Sequence, residues 1–338
     1  MQLHTSKGRV FIATTTGGIS RAVEQLDGSW HVQHLLTDYD VRCLASSPLA
    51  PGRVYAGTRG QGVLRSVEGC ENWIPAGMEG SIVTCLAVSP HEPSTVYAGT
   101  KPAAVFVSHD GGSRWEDLSG FRRIPSRRFW FSPAERPFSA CVQGIALSPT
   151  DAGTMLVGIE AGAVVRSSDG GATWSGHRRR ASRDCHSLIF HASDGNWAYE
   201  GGGTGPAISR DSGETWTRPR EGLDRRYGWA VAADPVNPRT WYVSSSPGAM
   251  KAHRDGSANA YIFRSTEKNG WEKLAGGLPE PIQYMPYALV TDHGAGHLYA
   301  GLSNGEVWHT ADHGETWTQL PFRLPGIHRA LILLPSDP

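Results

Sequence analysis

The chain has 338 residues, and 32 Lys+Arg against 32 Asp+Glu leave a formal charge of +0, which argues against nucleic acid as a partner. No run is apolar enough to cross a bilayer, and the start, MQLHTSKGRVFIATTTGG, lacks the apolar core and cleavage site of a signal peptide. Five cysteines (43, 70, 85, 141 and 185) without a CxxC pair argue against a disulfide framework or a zinc site, so a cytoplasmic, membrane-free protein with reduced thiols, no cofactor and no metal is expected.

In chain order, β-branched stretches bounded by turn residues begin at 10–14 (VFIAT) and return at 54–58, 96–100, 155–159, 197–201, 241–244 and 298–302. One unit shows what surrounds them. Residues 82–88 (IVTCLAV) form a first strand, SPHEPS a turn, 96–100 (VYAGT) a second strand and 105–108 (VFVS) a third. A tight turn then leads into a fourth strand at Trp115. That turn is one copy of a motif, Ser-x-Asp-x-Gly-x-Thr-Trp. It is intact at 167–174 (SSDGGATW) and 209–216 (SRDSGETW), and slightly altered at 108–115 (SHDGGSRW) and 310–317 (TADHGETW). It is worn at 66–73 (SVEGCENW), shortened at 265–271 (STEKNGW), and reduced to Ser20 and Trp30 in the first copy. The Asp carboxylate accepts backbone N–H groups across the turn, the Gly supplies a positive φ, and the Trp fills a core.

The motif tryptophans, 30, 73, 115, 174, 216, 271 and 317, are spaced 43, 42, 59, 42, 55 and 46 residues apart. A period near 42 with four short strands per unit predicts an all-β fold, a single seven-bladed β-propeller of four-stranded antiparallel blades over 1–338. The chain starts on a second strand and ends on a spare first strand, 329–334, so the C-terminal strand is expected to complete the blade begun at Arg9. The motif resembles the Asp box of the bacterial neuraminidase repeat, found in sialidases, xyloglucanases, sortilin-type receptors and a photosystem II assembly factor. That resemblance implies a β-propeller and covers nearly the whole chain, but these relatives do unrelated things.

Two intervals exceed the period and predict insertions, 116–140 and 245–260, leaving the same face as the inter-blade loops. Three inter-blade segments (121–136, 177–186 and 218–229) share 13 arginines with aromatic neighbours, and a fourth (280–287) carries Glu280, Tyr284 and Tyr287. Aligning the first strands places Arg42, Thr84, Gln143, His186, Trp229 and Arg329 at equivalent strand starts. The expected ligand-binding residues are Arg42, Arg127, Arg128, Trp130, Gln143, Arg183, Arg225, Arg226, Trp229 and Arg329, an Arg and aromatic mouth suited to an anion. Candidate acid–base groups are Asp184, His186, Asp224, Tyr227 and Tyr287. For each single arginine, pairing with a nearby Asp or Glu is the structural alternative.

Two functions follow. The first is a carbohydrate-active enzyme, hydrolase- or lyase-like, acting on an acidic sugar or other anionic small molecule. A hydrolase needs two carboxylates or a Tyr with a carboxylate, and a lyase a Tyr or His base with Arg on the uronate. The xyloglucanase resemblance implies two catalytic Asp in a cleft between two propellers, a pattern this chain does not repeat. The second is a non-catalytic propeller that binds a protein partner or an anionic cofactor, as the resemblance to the assembly factor implies.

Overall fold

The second strands of the repeat are buried along their whole length, as Val96–Lys101 and Met155–Ile159 show, because each packs on both faces. The computed structural model describes residues 8–334 other than 48, 67–68, 133–135, 137 and 267–269. Its strands form seven antiparallel sheets, the blades of a propeller. The innermost strands are Ile327–Leu334, Val41–Ser47, Ile82–Val88, Val142–Leu147, Cys185–Phe190, Tyr227–Ala233 and Pro286–Thr291. Each contacts the next, and Ile327–Leu334 closes the ring against Val41–Ser47. Closure is by the C-terminal strand, which pairs antiparallel with Val10–Thr15 from Val10↔Leu334 to Thr15↔Ile327. No open edge is left inside the ring.

Two blades depart from the four-stranded expectation. The sheets beginning at Val142–Leu147 and Cys185–Phe190 have three strands. In the first, Ser175 N and Arg178 N still donate to the Arg166 and Val164 carbonyls at 2.8 Å each, and side chains take the reverse bonds: His177 Nδ1 accepts from Val164 N at 3.2 Å, and Ser175 Oγ accepts from Arg166 N at 3.1 Å. In the second, a single bridge, Ile208↔Thr217, precedes Pro219, which has no N–H to continue it. Short helices, Ser119–Arg122 and Ala249–Ala252, occupy the two insertions.

The repeated turn does its expected work. At 167–174, Asp169 Oδ1 accepts from Thr173 N at 2.9 Å, and Ser167 Oγ accepts from Gly171 N at 2.9 Å. The Thr173 hydrogen bonds hold the Asp169 carboxyl down at about 2. The turn at 209–216 repeats this, with Trp216 donating to the Gly213 carbonyl at 3.1 Å. Trp216 is buried between two blades, against Leu156 and Phe190.

Each innermost strand also carries a bulge near its start. Its register slips between Val41 and Cys43, Val83 and Cys85, Val142 and Gly144, Cys185 and Ser187, Gly228 and Val231, and Pro286 and Ala288. The closing strand slips opposite Ala13 to Thr15. The unpaired residues are Arg42, Thr84, Gln143, His186, Trp229–Ala230, Tyr287 and 328–330. A bulge re-aims its side chain, here toward the axis. Behind five of the bulges the second strand has a glycine: Gly57, Gly99, Gly158, Gly201 and Gly301. A Cβ on Gly99 would lie 2.5 Å from Val142 Cγ1 and 2.6 Å from Cys85 Sγ. In the blade of Tyr227–Ala233, Ser244 replaces that glycine, and its Oγ accepts the Ala230 N–H freed by the bulge at 3.1 Å.

Two predictions follow from this packing. Gly99→Ala overpacks the contact between blades and should cost about 1–3 kcal/mol in urea unfolding, with the fold retained. An unchanged midpoint would show that the inner strands can move apart. The second concerns Glu200, wholly buried on the second strand Ala198–Gly202, where burial pushes its carboxyl up to about 8. The unfolded chain then loses this proton at lower pH than the folded one. Stability from Glu200 is complete below the ordinary carboxylate range and is lost as pH rises toward about 8. Glu200→Gln should flatten urea midpoints measured between pH 5 and 8, about one pH unit at a time. An unaltered pH slope would rule Glu200 out as its source.

Candidate functional site

The bulged residues surround the axis because seven sheets meet there and none has a side chain large enough to fill it. A cavity of about 1190 Å³ results, lined from every blade. In an antiparallel blade the first strand starts on the face where fourth-to-first and second-to-third connections emerge, so both insertions lie beside this opening.

One wall is cationic. Arg42 and Arg329 line the cavity, and Arg42 pairs with Asp40 at 2.7 Å. Burial makes protonation of His253 and His328 harder, and the Arg329 charge adds a smaller effect of the same sign. Another wall is aromatic. His186 stacks on Trp229 at 4.5 Å and lies 4.9 Å from Tyr227, and Trp229 meets Tyr287 edge-on at 5.0 Å. His186 is anchored twice: Nδ1 donates to the Gly228 carbonyl at 2.7 Å, and Nε2 lies 3.4 Å from Asp184 Oδ2. Burial opposes ionisation of Asp184, but the His186 hydrogen bond and charge outweigh it and keep the carboxyl below its usual range.

A residue that the sequence reading did not single out completes this wall. His253, from the second insertion, bridges two tyrosines. Tyr287 donates its O–H to the Ala252 carbonyl at 3.1 Å, so its oxygen accepts from His253 Nδ1–H at 2.8 Å. That fixes the tautomer and leaves His253 Nε2 to accept the Tyr227 O–H at 2.8 Å. Burial, then the neighbouring His186, hold His253 below its ordinary value and favour the neutral ring that this chain of bonds needs. Burial raises both phenols, Tyr287 to about 12. The result is a directed path from a cavity-facing hydroxyl to a backbone carbonyl. The lengthened interval between Trp216 and Trp271 pointed to the insertion, and His253 is its one imidazole.

The expected residues divide into two groups. Arg42, Gln143, His186, Tyr227, Trp229, Tyr287 and Arg329 line the cavity, with Asp184 behind His186. Asp224, Arg183, Arg225 and Arg226 do not line it. Asp224 pairs with Lys273 at 2.6 Å and Arg225 at 3.2 Å, and Arg225 lies over Tyr261 at 5.3 Å. Arg183 and Arg226 are exposed. Arg127, Arg128 and Trp130 line a separate pocket of about 370 Å³ in the first insertion. The single mouth expected for these arginines is therefore dispersed: Arg127 and Arg225 donate to carbonyls of other loops, at Ala103 and Asn259. Arg218 likewise donates to the Arg180 and Ala181 carbonyls at 2.7 and 2.6 Å.

No protein-family model matches the chain. A probable oligoxyloglucan-reducing end-specific xyloglucanase of Neosartorya fischeri is 28% identical over 183 residues, 54% of this chain and 19% of that protein. Among solved structures, an ancestral GH74 enzyme superposes with a TM-score of 0.65 at 19% identity, over 82% of this chain and 38% of that one. YCF48 bound to D1 peptide superposes with a TM-score of 0.55 at 14% identity, over 83% and 82%. The shared feature is the seven-bladed propeller. The chain thus spans about a fifth of the curated relative and less than half of the GH74 chain. All five cysteines are buried free thiols, and among the described residues no helix is long and apolar enough to cross a membrane.

The tautomer assignment carries a pH consequence. The folded chain holds His253 neutral below the ordinary histidine range, so its contribution is present above about pH 6.5 and is lost on acidification. The His253 ring resonances in NMR should titrate below those of exposed histidines. Titration at or above the ordinary value would contradict the Tyr227–His253–Tyr287 bonding order.

Proposed function

We propose that the protein is a carbohydrate-active propeller, acting on an acidic sugar in the central cavity. The observation that carries this reading is the hydrogen-bonded path ending on Tyr227, in a cavity that also presents Arg42 and Arg329. Trp229 and His186 offer a flat face for a sugar ring, and the arginines offset a carboxylate. The matched segment of a xyloglucanase supports a glycan ligand. The free thiols support a reducing, cytoplasmic setting.

The hydrogen-bonded path on Tyr227 supports elimination from a uronate over hydrolysis. Hydrolysis calls for two carboxylates flanking the bond. Of those at the cavity, Asp184 is engaged by His186 and by the Ala161 N–H at 3.3 Å, Asp40 pairs with Arg42, and Glu160 accepts from the Cys141 thiol at 3.0 Å, while Asp38 also lines it. In the elimination, Tyr227 passes its proton to His253 Nε2 as its oxygen takes the proton beside the substrate carboxylate. The electrons of that C–H bond form the new C=C bond, and the glycosidic C–O bond breaks. The departing oxygen takes a proton from Tyr227, which recovers its own from His253. The arginines stabilise the charge that builds on the carboxylate.

The test is a titration of uronate-containing and neutral oligosaccharides, with ultraviolet absorbance reporting an unsaturated product. The wild type should bind the acidic sugars, less tightly as salt rises. Tyr227→Phe should still bind them but lose about 10²- to 10⁴-fold in turnover. Salt-insensitive binding of neutral sugars would remove the acidic substrate. Absence of glycan binding would favour the second reading, a non-catalytic propeller for a protein partner, which the likeness to YCF48 bound to D1 peptide supports.

A further inference from the structure

The first insertion combines two features that the central cavity does not explain. It folds as the helix Ser119–Arg122 and the 3-10 turn Pro125–Phe129, seated by Phe121, which is buried against Trp130 and Trp174 at 5.6 and 5.4 Å. Within this well-packed seat, four buried donors have no hydrogen-bond partner: Ser126 Oγ, Arg127 Nε, Trp130 Nε1 and Ser139 Oγ. A buried donor without an acceptor is costly, and one segment holding four of them is unusual. Trp130 is 9% exposed, so water does not supply the missing acceptor from bulk.

Three of these residues, Arg127, Trp130 and Ser139, line the pocket of about 370 Å³. Among the described residues its other polar lining is Arg122 and Arg128, with no carboxylate. Arg122 is paired with Asp117 at 2.6 Å, whereas Arg128 lies over the exposed Phe129 ring at 4.6 Å. Arg127 is held in place by one donation from its terminal nitrogen to the Ala103 carbonyl at 2.9 Å, which leaves Nε uncommitted. The remaining walls, including Ala103, Ile124 and Ala140, are apolar. Three residues that line one small space thus carry an unpartnered guanidinium N–H, indole N–H or hydroxyl, and with cationic neighbours they suit a compact group rich in acceptors and negatively charged.

We propose that this pocket is a second ligand site, separate from the central cavity, that takes the carboxylate or phosphate group of a small molecule on Arg127, Trp130 and Ser139. The floor between the two spaces is thin: Ala140 lines the pocket and Cys141 lines the central cavity. The proposal does not depend on what the central cavity binds.

The experiment is calorimetric titration of the full chain with acetate, inorganic phosphate and neutral acetamide, together with thermal melts. The wild type should bind at least one anion saturably and acetamide not at all; which anion binds separates the two sources. Trp130→Phe keeps an aromatic ring but removes the N–H, and Ser139→Ala removes the hydroxyl. Each should weaken the anion by about tenfold. Trp130→Phe also loses packing volume, so affinity is compared at a temperature where melts show both proteins folded. Arg329→Gln, which alters the central cavity, should leave the affinity as it is. Three results would overturn the site: no saturable anion binding, equal affinity in wild type and both pocket variants, or loss of binding in Arg329→Gln.

Discussion

The bulge in each innermost strand, with a glycine behind five of them, is the constraint on which both core and cavity depend. A propeller blade must narrow toward its axis, and the seven first strands crowd where the blades meet. At Gly57, Gly99 and Gly158 the neighbouring strand approaches so closely that a Cβ would fall 2.3 to 2.6 Å from a cysteine sulfur or a valine methyl. The small side chains Cys43, Cys85 and Cys185 take the positions beside those glycines for the same reason, and burial lifts their thiols far from ionisation. The extra residue of the bulge cannot enter this packed layer. It turns to the axis, where its identity is free to vary. The same backbone device therefore presents Arg42, Thr84, Gln143, His186, Trp229, Tyr287 and Arg329.

That ring is not used evenly. Thr84 spends its hydroxyl on the Val142 and Gly99 carbonyls at 2.6 and 3.2 Å, so its position serves the fold. The aromatic sector, by contrast, ends its hydrogen bonds on groups that face the cavity. Burial there disfavours phenolate and imidazolium alike, and the Arg329 charge makes protonation of His253 harder still. In the proposed elimination, an anion in the cavity would offset the Arg329 charge and ease protonation of His253, so that occupancy would favour proton transfer from Tyr227.

Much of this was legible in the sequence where a local rule had one outcome. The Ser-x-Asp-x-Gly-x-Thr-Trp turn fixes its own geometry through bonds within eight residues, so blade number, blade order and closure followed from its spacing. The strand-start alignment reached Arg42, Gln143, His186, Trp229 and Arg329 because the bulge falls at the same place in each repeat. The bulges themselves were not legible, since the extra residue leaves no compositional mark. His253 was missed because its role comes from Tyr227 and Tyr287, which lie 26 and 34 residues away on two blades. The dispersal of the arginines was missed for the opposite reason. Loop arginines such as Arg218 and Arg225 find carbonyl and amide acceptors that a charge count does not show.

The two insertions differ in how they meet their polar groups, and the difference separates their roles. In the second, the His253 nitrogens and both tyrosine hydroxyls have partners, and the path leads inward to the axis. A fully satisfied network rigidifies what it holds, which suits a group that must meet a substrate at one fixed point. In the first, the backbone is well seated by Phe121 and Trp130, yet four side-chain donors face no acceptor. The apolar half of the same segment packs in one cluster with the neighbouring blade, so the pattern is not one of loose folding. Donors left without acceptors in a seated segment are what the proposed second site rests on, and they set the first insertion apart from Arg218 and Arg225, whose guanidiniums already meet carbonyl and amide oxygens.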